Sequence, residues 1–149
     1  MPIIFIADHH AENRISTKLK ERQPKVDALL LEYLPQEEYT VPLSDDDILL
    51  VLSQVFIDKP DTTDYNAVLQ ITKNTPTYAF DNDDGGAAEV KRHKKQYNAI
   101  TKIIECKGKD KTYLIIVGEG HLEDNINRQT SWISHAKQFQ NDGYDVVVL

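Results

Sequence analysis

Tyr113-Leu114-Ile115-Ile116-Val117-Gly118-Glu119-Gly120-His121 decides how this chain folds. Five consecutive apolar residues, three of them β-branched, read as a strand covered on both faces, and such strands belong to parallel sheets. The run stops at a Gly-x-Gly turn, where glycine permits a tight bend and a close approach of backbone to ligand. A histidine follows at once.

Similar runs lie on either side. Ile3-Ile4-Phe5-Ile6, Ala28-Leu29-Leu30-Leu31, Tyr78-Ala79-Phe80 and Val146-Val147-Val148-Leu149 are short and nearly all apolar. Helical spacing separates them: Ala11, Ile15 and Leu19; then Tyr65, Val68, Leu69 and Thr72; then Tyr97, Ile100 and Ile104. Ile126, Ile133, Ala136 and Phe139 complete the series before Gly143 closes the last helix. Asp47 to Ile57 is apolar on most faces and reads as a buried helix, with Ser44 and Asp47 spaced as a capping box. The alternation predicts an α/β chain, a three-layer domain with a mostly parallel sheet of about five strands and helices on both faces. Residues 1–149 are expected to form a single domain, with a helical insert over about 35–74 placed to cover the site.

Bulk properties narrow the partners. The formal charge of -7 disfavours nucleic acid, which needs a dense positive surface. Lys91-Arg92-His93-Lys94-Lys95 is the local exception; it reads as a solvated helix face, with Arg92 as the member suited to an anion. No apolar run approaches the roughly 20 residues that span a bilayer, so no membrane partner is expected. Asp8 arrives too early for a secretory leader, and the single Cys106 excludes an internal disulfide. A cytoplasmic location is the resulting expectation.

Open parallel sheets bind ligands beyond the carboxyl ends of their strands. The first strand runs into Asp8-His9-His10, the second into Glu32-Tyr33, the third into Asp81-Asn82-Asp83-Asp84 and the fourth into Gly118-Glu119-Gly120-His121. Three of the chain's five histidines fall on this edge, which favours a site over ordinary acidic loops. Of the pair His9 and His10, His10 matches the offset of His121, and His9 reads as structural. Glu32 closes a buried run, where a carboxylate is costly unless it is paired or ligating. Glu119 ranks behind these, and His135 reads as a surface or boundary residue of the last helix.

Other constellations fail. Residues 81–92 miss the calcium-loop pattern at Gly85 and Arg92. No Gly-x-Ser-x-Gly elbow, Walker A lysine loop or dinucleotide fingerprint is present, and Cys106 has no adjacent base.

With these residues assembled, the chain resembles the superfamily of erythromycin esterases, haem-binding ChaN proteins, TraB/PrgY proteins and TIKI proteases. Gly118-Glu119-Gly120-His121 matches its second Gly-x-x-His motif, Ala7-Asp8-His9-His10 looks like a variant of the first, and Leu30-Leu31-Glu32 resembles its glutamate-ending strand. Ala7 and Asp8 depart from the usual Gly-Glu pair. The resemblance implies a pocket in which Asp8, His10, Glu32, Asp81, Arg92 and His121 act.

One expectation is a hydrolase of ester or peptide and amide bonds, acting on a small molecule or peptide. In it His10, Glu32 and His121 bind a divalent metal, Zn²⁺ or Mn²⁺, or activate water directly. Asp8 would orient His10 or accept a proton, and Arg92 would hold a substrate oxygen. The alternative is a non-catalytic protein that binds haem, iron or another small ligand.

Overall fold

The computed structural model describes residues 2–9, 11–22, 24–81, 89–124 and 132–149. Five strands, β1 (Ile3–Asp8), β2 (Ala28–Leu31), β3 (Thr77–Ala79), β4 (Tyr113–Gly118) and β5 (Val146–Val148), form one sheet in the order β3-β2-β4-β1-β5. Every pairing is parallel. Five helices connect them: α1 (Arg14–Arg22), α2 (Asp45–Val55), α3 (Thr63–Thr72), α4 (Glu89–Lys107) and α5 (His135–Asn141). Among the described residues, no helix is long and apolar enough to cross a membrane.

Alternation along the strands divides the core in two. Ile3, Phe5, Leu30, Ile115 and Val117 pack with Ile100 and Ile103 of α4 and Phe139 of α5. Ile4, Ile6, Leu29, Leu31 and Ile116 point the other way, onto Ile15 of α1, Val51 and Leu52 of α2 and Val68 of α3. Helices therefore cover both faces, as the continuous apolar strands require. The chain steps across the sheet one way through α1, α2 and α3, then back through α4 and α5 on the opposite face. Reversing both direction and face keeps all four crossovers of one hand, the arrangement that strand twist favours.

Helix ends mix local and tertiary signals. Ser44 Oγ accepts from Asp47 N at 3.2 Å, so the predicted cap forms. At α1, Asp64 of α3 accepts from the backbone N–H groups of Ile15 and Ser16 at 3.3 and 2.8 Å. A carboxylate from 48 residues away thus satisfies donors that a local cap normally serves. Gly143, at φ +93, terminates α5 as expected.

Two helix expectations need correction. α2 is not buried all round in the fold: Leu49 and Leu50 are each 47% exposed, because it is Ile48, Val51, Leu52 and, in part, Val55 that face the core. The last helix starts at His135 rather than near Ile126, since Ser134 caps it by accepting from Lys137 N at 3.1 Å. Ile126 lies outside the described residues, as does most of the segment compared with a calcium loop.

Candidate active site and histidine cluster

Strand register builds the site. Asp8 pairs with Gly118 across β1 and β4, while Leu31, one residue before Glu32, pairs with Ile116 and Ala79. The sheet order therefore sets Asp81, Glu32, Gly118 and Asp8 side by side along one edge. Two adjoining cavities of about 390 and 400 Å³ share Asp8, Glu32, Arg92 and Gly118. Gln54, Val55, Ile57 and Asp58 wall the first, so the end of α2 and its following loop do border the site. His121 lines the second.

Glu32 sits where alternation sends it, on the α4 side. Its Oε2 accepts from Gly118 N at 2.8 Å, and its Oε1 lies 3.5 Å from the Arg92 guanidinium. Burial nevertheless pushes its carboxyl up to about 7, aided by the negative charge of Asp81; the Gly118 bond and Arg92 only partly oppose this. Arg92 is held more tightly by Asp81, with Nη2 to Oδ2 at 2.6 Å and Nε to Oδ1 at 3.0 Å. Gln96 donates to the same Asp81 Oδ1 at 2.8 Å. Arg92 is thus a bidentate partner of Asp81 and a neighbour of Glu32, which leaves its anticipated role toward a substrate oxygen as a proposal.

Asp8 turns to the opposite face and meets Lys59, from the loop between α2 and α3. Lys59 Nζ lies 2.6 Å from Asp8 Oδ1 and 3.1 Å from Asp64 Oδ2, and it donates to the His9 carbonyl at 2.6 Å. The lysine side chain is 1% exposed, so this buried triad ties the β1–α1 loop to α3. Asp8 is therefore a partner of Lys59, which leaves its anticipated role beside His10 as a proposal. His10 lies outside the described residues. His9 Nδ1 accepts from Ala11 N at 3.3 Å and its ring is 3.9 Å from Glu119, yet His9 also lines the second cavity, where the sequence reading turned it away from the pocket. Glu119 pairs with Arg14 at 3.0 Å.

His121 sits in a short 3-10 turn, Glu119–Leu122, after β4. The Gly118-Glu119-Gly120 turn has no positive φ, so the bend itself does not demand glycine. Space does matter at Gly118. A Cβ there would stand 3.5 and 3.7 Å from the Glu32 carboxylate oxygens and 4.0 Å from His121 Cδ2. The carboxylate and the imidazole therefore flank one point.

Behind His121 lies a group that the sequence reading missed. His93 Nδ1 is 2.8 Å from His121 Nδ1, and His93 Nε2 is 2.8 Å from the Ile133 carbonyl oxygen. Because that oxygen only accepts, His93 carries its proton on Nε2, and in the neutral cluster its Nδ1 accepts from His121 Nδ1–H. The bare nitrogen of His121 is then Nε2, next to the Cδ2 that nears Gly118. His135 stacks on His93 with ring centres 3.9 Å apart and planes 5° from parallel. Its ring is fully buried, contrary to the expected surface position, because Ser134 starts the helix and turns it beneath α4.

Burial, with repulsion from His93, pushes His121 down to about 4 and His135 well below the usual imidazole range. Burial lowers His93 as well. One ring nitrogen from each of His93, His121 and His135 lies within 4.8 Å of the other two, so these three residues can hold a metal ion. The basic block is thus only partly a solvated face. Lys91 and Lys94 are exposed, whereas Arg92 turns to the site and His93 is buried. Continuing the α4 stripe of Ile103 and Ile100 back at helical spacing reaches Gln96 and His93, a signal present in the sequence.

No protein-family model matches the chain, and no curated protein sequence matches it. Among solved structures, the fold is similar to that of RRSP, a MARTX toxin effector domain from Vibrio vulnificus, with a TM-score of 0.55 and 14% identity. The match covers 93% of this chain and 32% of that one, so the chain spans about a third of the length of the structure it resembles. What the two share is the fold: a parallel α/β sheet whose carboxyl edge, in this chain, carries Glu32, Arg92 and His121.

Proposed function

We propose that this chain is a hydrolase of ester or peptide and amide bonds, acting where Glu32 and His121 flank Gly118 at the carboxyl edge of the sheet. The observation that carries the reading is this placement of a buried carboxylate and an imidazole around one point on a cavity wall. The resemblance to the erythromycin esterase, ChaN, TraB/PrgY and TIKI superfamily supports it, because Glu32 and His121 stand in two of the three motifs that carry that resemblance, beside Ala7-Asp8-His9-His10.

A water molecule between them would lose a proton to Glu32, whose affinity near neutrality suits a general base. His121 Nε2 would accept the water's second hydrogen bond and fix its direction. The water oxygen then attacks the carbonyl carbon, the bond to the leaving oxygen or nitrogen breaks, and Glu32 returns the proton to that leaving atom. Arg92 holds Glu32 in place and faces the negative charge that develops on the carbonyl oxygen. A Zn²⁺ or Mn²⁺ ion on His10, Glu32 and His121 is the metal-dependent form of the same proposal. The bonds from Gly118 and Arg92 to Glu32 favour the metal-free form.

The test is hydrolysis of a panel of p-nitrophenyl esters and fluorogenic peptides. Glu32→Gln and His121→Asn are each expected to lower kcat/KM about 100-fold or more, the usual effect of removing a general base. Turnover undiminished in either variant, or no turnover of any panel member by the folded wild type, overturns the reading.

A further inference from the structure

The three buried imidazoles hold their protons in a pattern that leaves one nitrogen stranded. Gln96 Nε2 donates to Asp81 at 2.8 Å, which fixes the amide so that its Oε1 faces His135 Nε2 at 2.9 Å. His135 therefore carries its proton on Nε2 and presents a bare Nδ1. That Nδ1 is buried without a hydrogen-bond partner among the described residues, and His135 has no exposed surface. A buried acceptor without a donor is unfavourable, and nothing in the neutral cluster relieves it.

His93 repeats the arrangement. Its Nε2–H is held by the Ile133 carbonyl, and its Nδ1 is the bare nitrogen. Two neighbouring imidazoles thus have their far N–H groups anchored on carbonyl oxygens, the support that orients histidines toward a metal. A third nitrogen comes from His121, inside the same 4.8 Å group; to ligate through Nδ1, the nitrogen beside His93, His121 moves its proton from Nδ1 to Nε2.

We propose that His93, His121 and His135 form a binding site for one transition-metal cation of the Zn²⁺ class. Neutral imidazoles suit Zn²⁺, Co²⁺, Ni²⁺ or Cu²⁺, whereas Mg²⁺ and Ca²⁺ require oxygen donors. In a tetrahedral zinc site the nitrogens stand about 3.3 Å apart, given Zn–N bonds near 2.0–2.1 Å. Closing from the present spacing of up to 4.8 Å to that distance requires the rings to shift from their present stack. The 2.8 Å pair of His93 and His121 opens slightly, and the His135 ring leaves its stack on His93. A cavity of about 270 Å³, bordered by His93, Trp132 and His135, gives the ion an approach from outside the hydrolytic pocket. This site differs from the trio His10, Glu32 and His121 and shares only His121 with it. The proposal goes beyond the hydrolytic reading, and its test reads binding rather than turnover.

The experiment titrates the EDTA-stripped full chain with Zn²⁺ by calorimetry and with Co²⁺ by visible absorption. The expected result is one equivalent bound at micromolar Kd or tighter, with Co²⁺ bands of nitrogen coordination and a thermal midpoint raised by Zn²⁺ but not by Mg²⁺. His93→Gln and His121→Gln are each expected to weaken Zn²⁺ binding about 100-fold or more. His135→Gln alters a fully buried ring, so its reading is taken only if circular dichroism matches the wild type; the other two variants decide the result without it. Absence of Zn²⁺ and Co²⁺ binding by the folded wild type overturns the proposal. So does binding that persists unchanged in the His93→Gln/His121→Gln double variant, which would place the ion elsewhere, for example at His9 and His10.

Discussion

The backbone N–H of Gly118 donates to Glu32 Oε2 across 2.8 Å, joining the end of β4 to the end of β2. One hydrogen bond to a mostly desolvated carboxylate does not offset its burial, so Glu32 holds its proton to about pH 7.

That raised proton affinity makes folding stability depend on pH. Between about 4.5 and 7 the folded state keeps the Glu32 proton while the unfolded chain has lost it, so unfolding releases a proton and stability falls as pH rises. The fall attributable to Glu32 is on the order of 3 kcal/mol, complete above pH 7. The buried histidines, whose proton affinity falls on folding, act in the opposite sense over the same range, so the Glu32 component is read as the difference between wild type and Glu32→Gln in urea unfolding from pH 4.5 to 8. Identical pH profiles for both proteins would contradict the account.

Lys59 is the countercharge for both Asp8 and Asp64. Replacing it with methionine leaves two buried carboxylates without their cation, and the expected destabilisation is about 3–5 kcal/mol. Equilibrium denaturation measures this. Adding Asp8→Asn to Lys59→Met should recover part of the loss, since one uncompensated charge is then removed.

Gly118 separates Glu32 from His121 by having no side chain. Its φ of -53 is open to any residue, and a Cβ would make only ordinary contacts, so Gly118→Ala should change stability by less than about 1 kcal/mol. Gly118→Leu would place its branches between the carboxylate and the imidazole. Hydrolysis should then fall at least as far as in Glu32→Gln, while the circular dichroism spectrum stays that of the wild type.

Ser44 caps α2 through a local bond, away from the site. Ser44→Ala should cost about 1 kcal/mol of stability, measured by thermal unfolding, and leave metal affinity unchanged.

The strands and most helices were legible because their signals are local. Apolar runs such as Leu114 to Val117 need only their own residues to specify a covered strand, and Ser44 needs only Asp47. A parallel sheet then forces strand ends to one edge, so Glu32, Asp81 and His121 could be grouped without coordinates. α2 was read as more buried than it is, because apolarity in Leu49 and Leu50 does not reveal which face meets the sheet.

Pairings across long stretches of chain were decided by tertiary structure. Nothing near Asp8 announces Lys59, 51 residues later, and nothing near Ile15 announces that Asp64 will cap its helix. His93 lay within a run of cations whose charge concealed the inward face of α4, and His135 was hidden because the helix starts at His135 rather than near Ile126, where periodicity placed it. Local sequence sets backbone conformation through steric preference and hydrophobic spacing, and these act over a few residues. Which carboxylate receives a lysine, and which imidazoles share a proton, depends on strand order and helix rotation, and only the packed sheet fixes those.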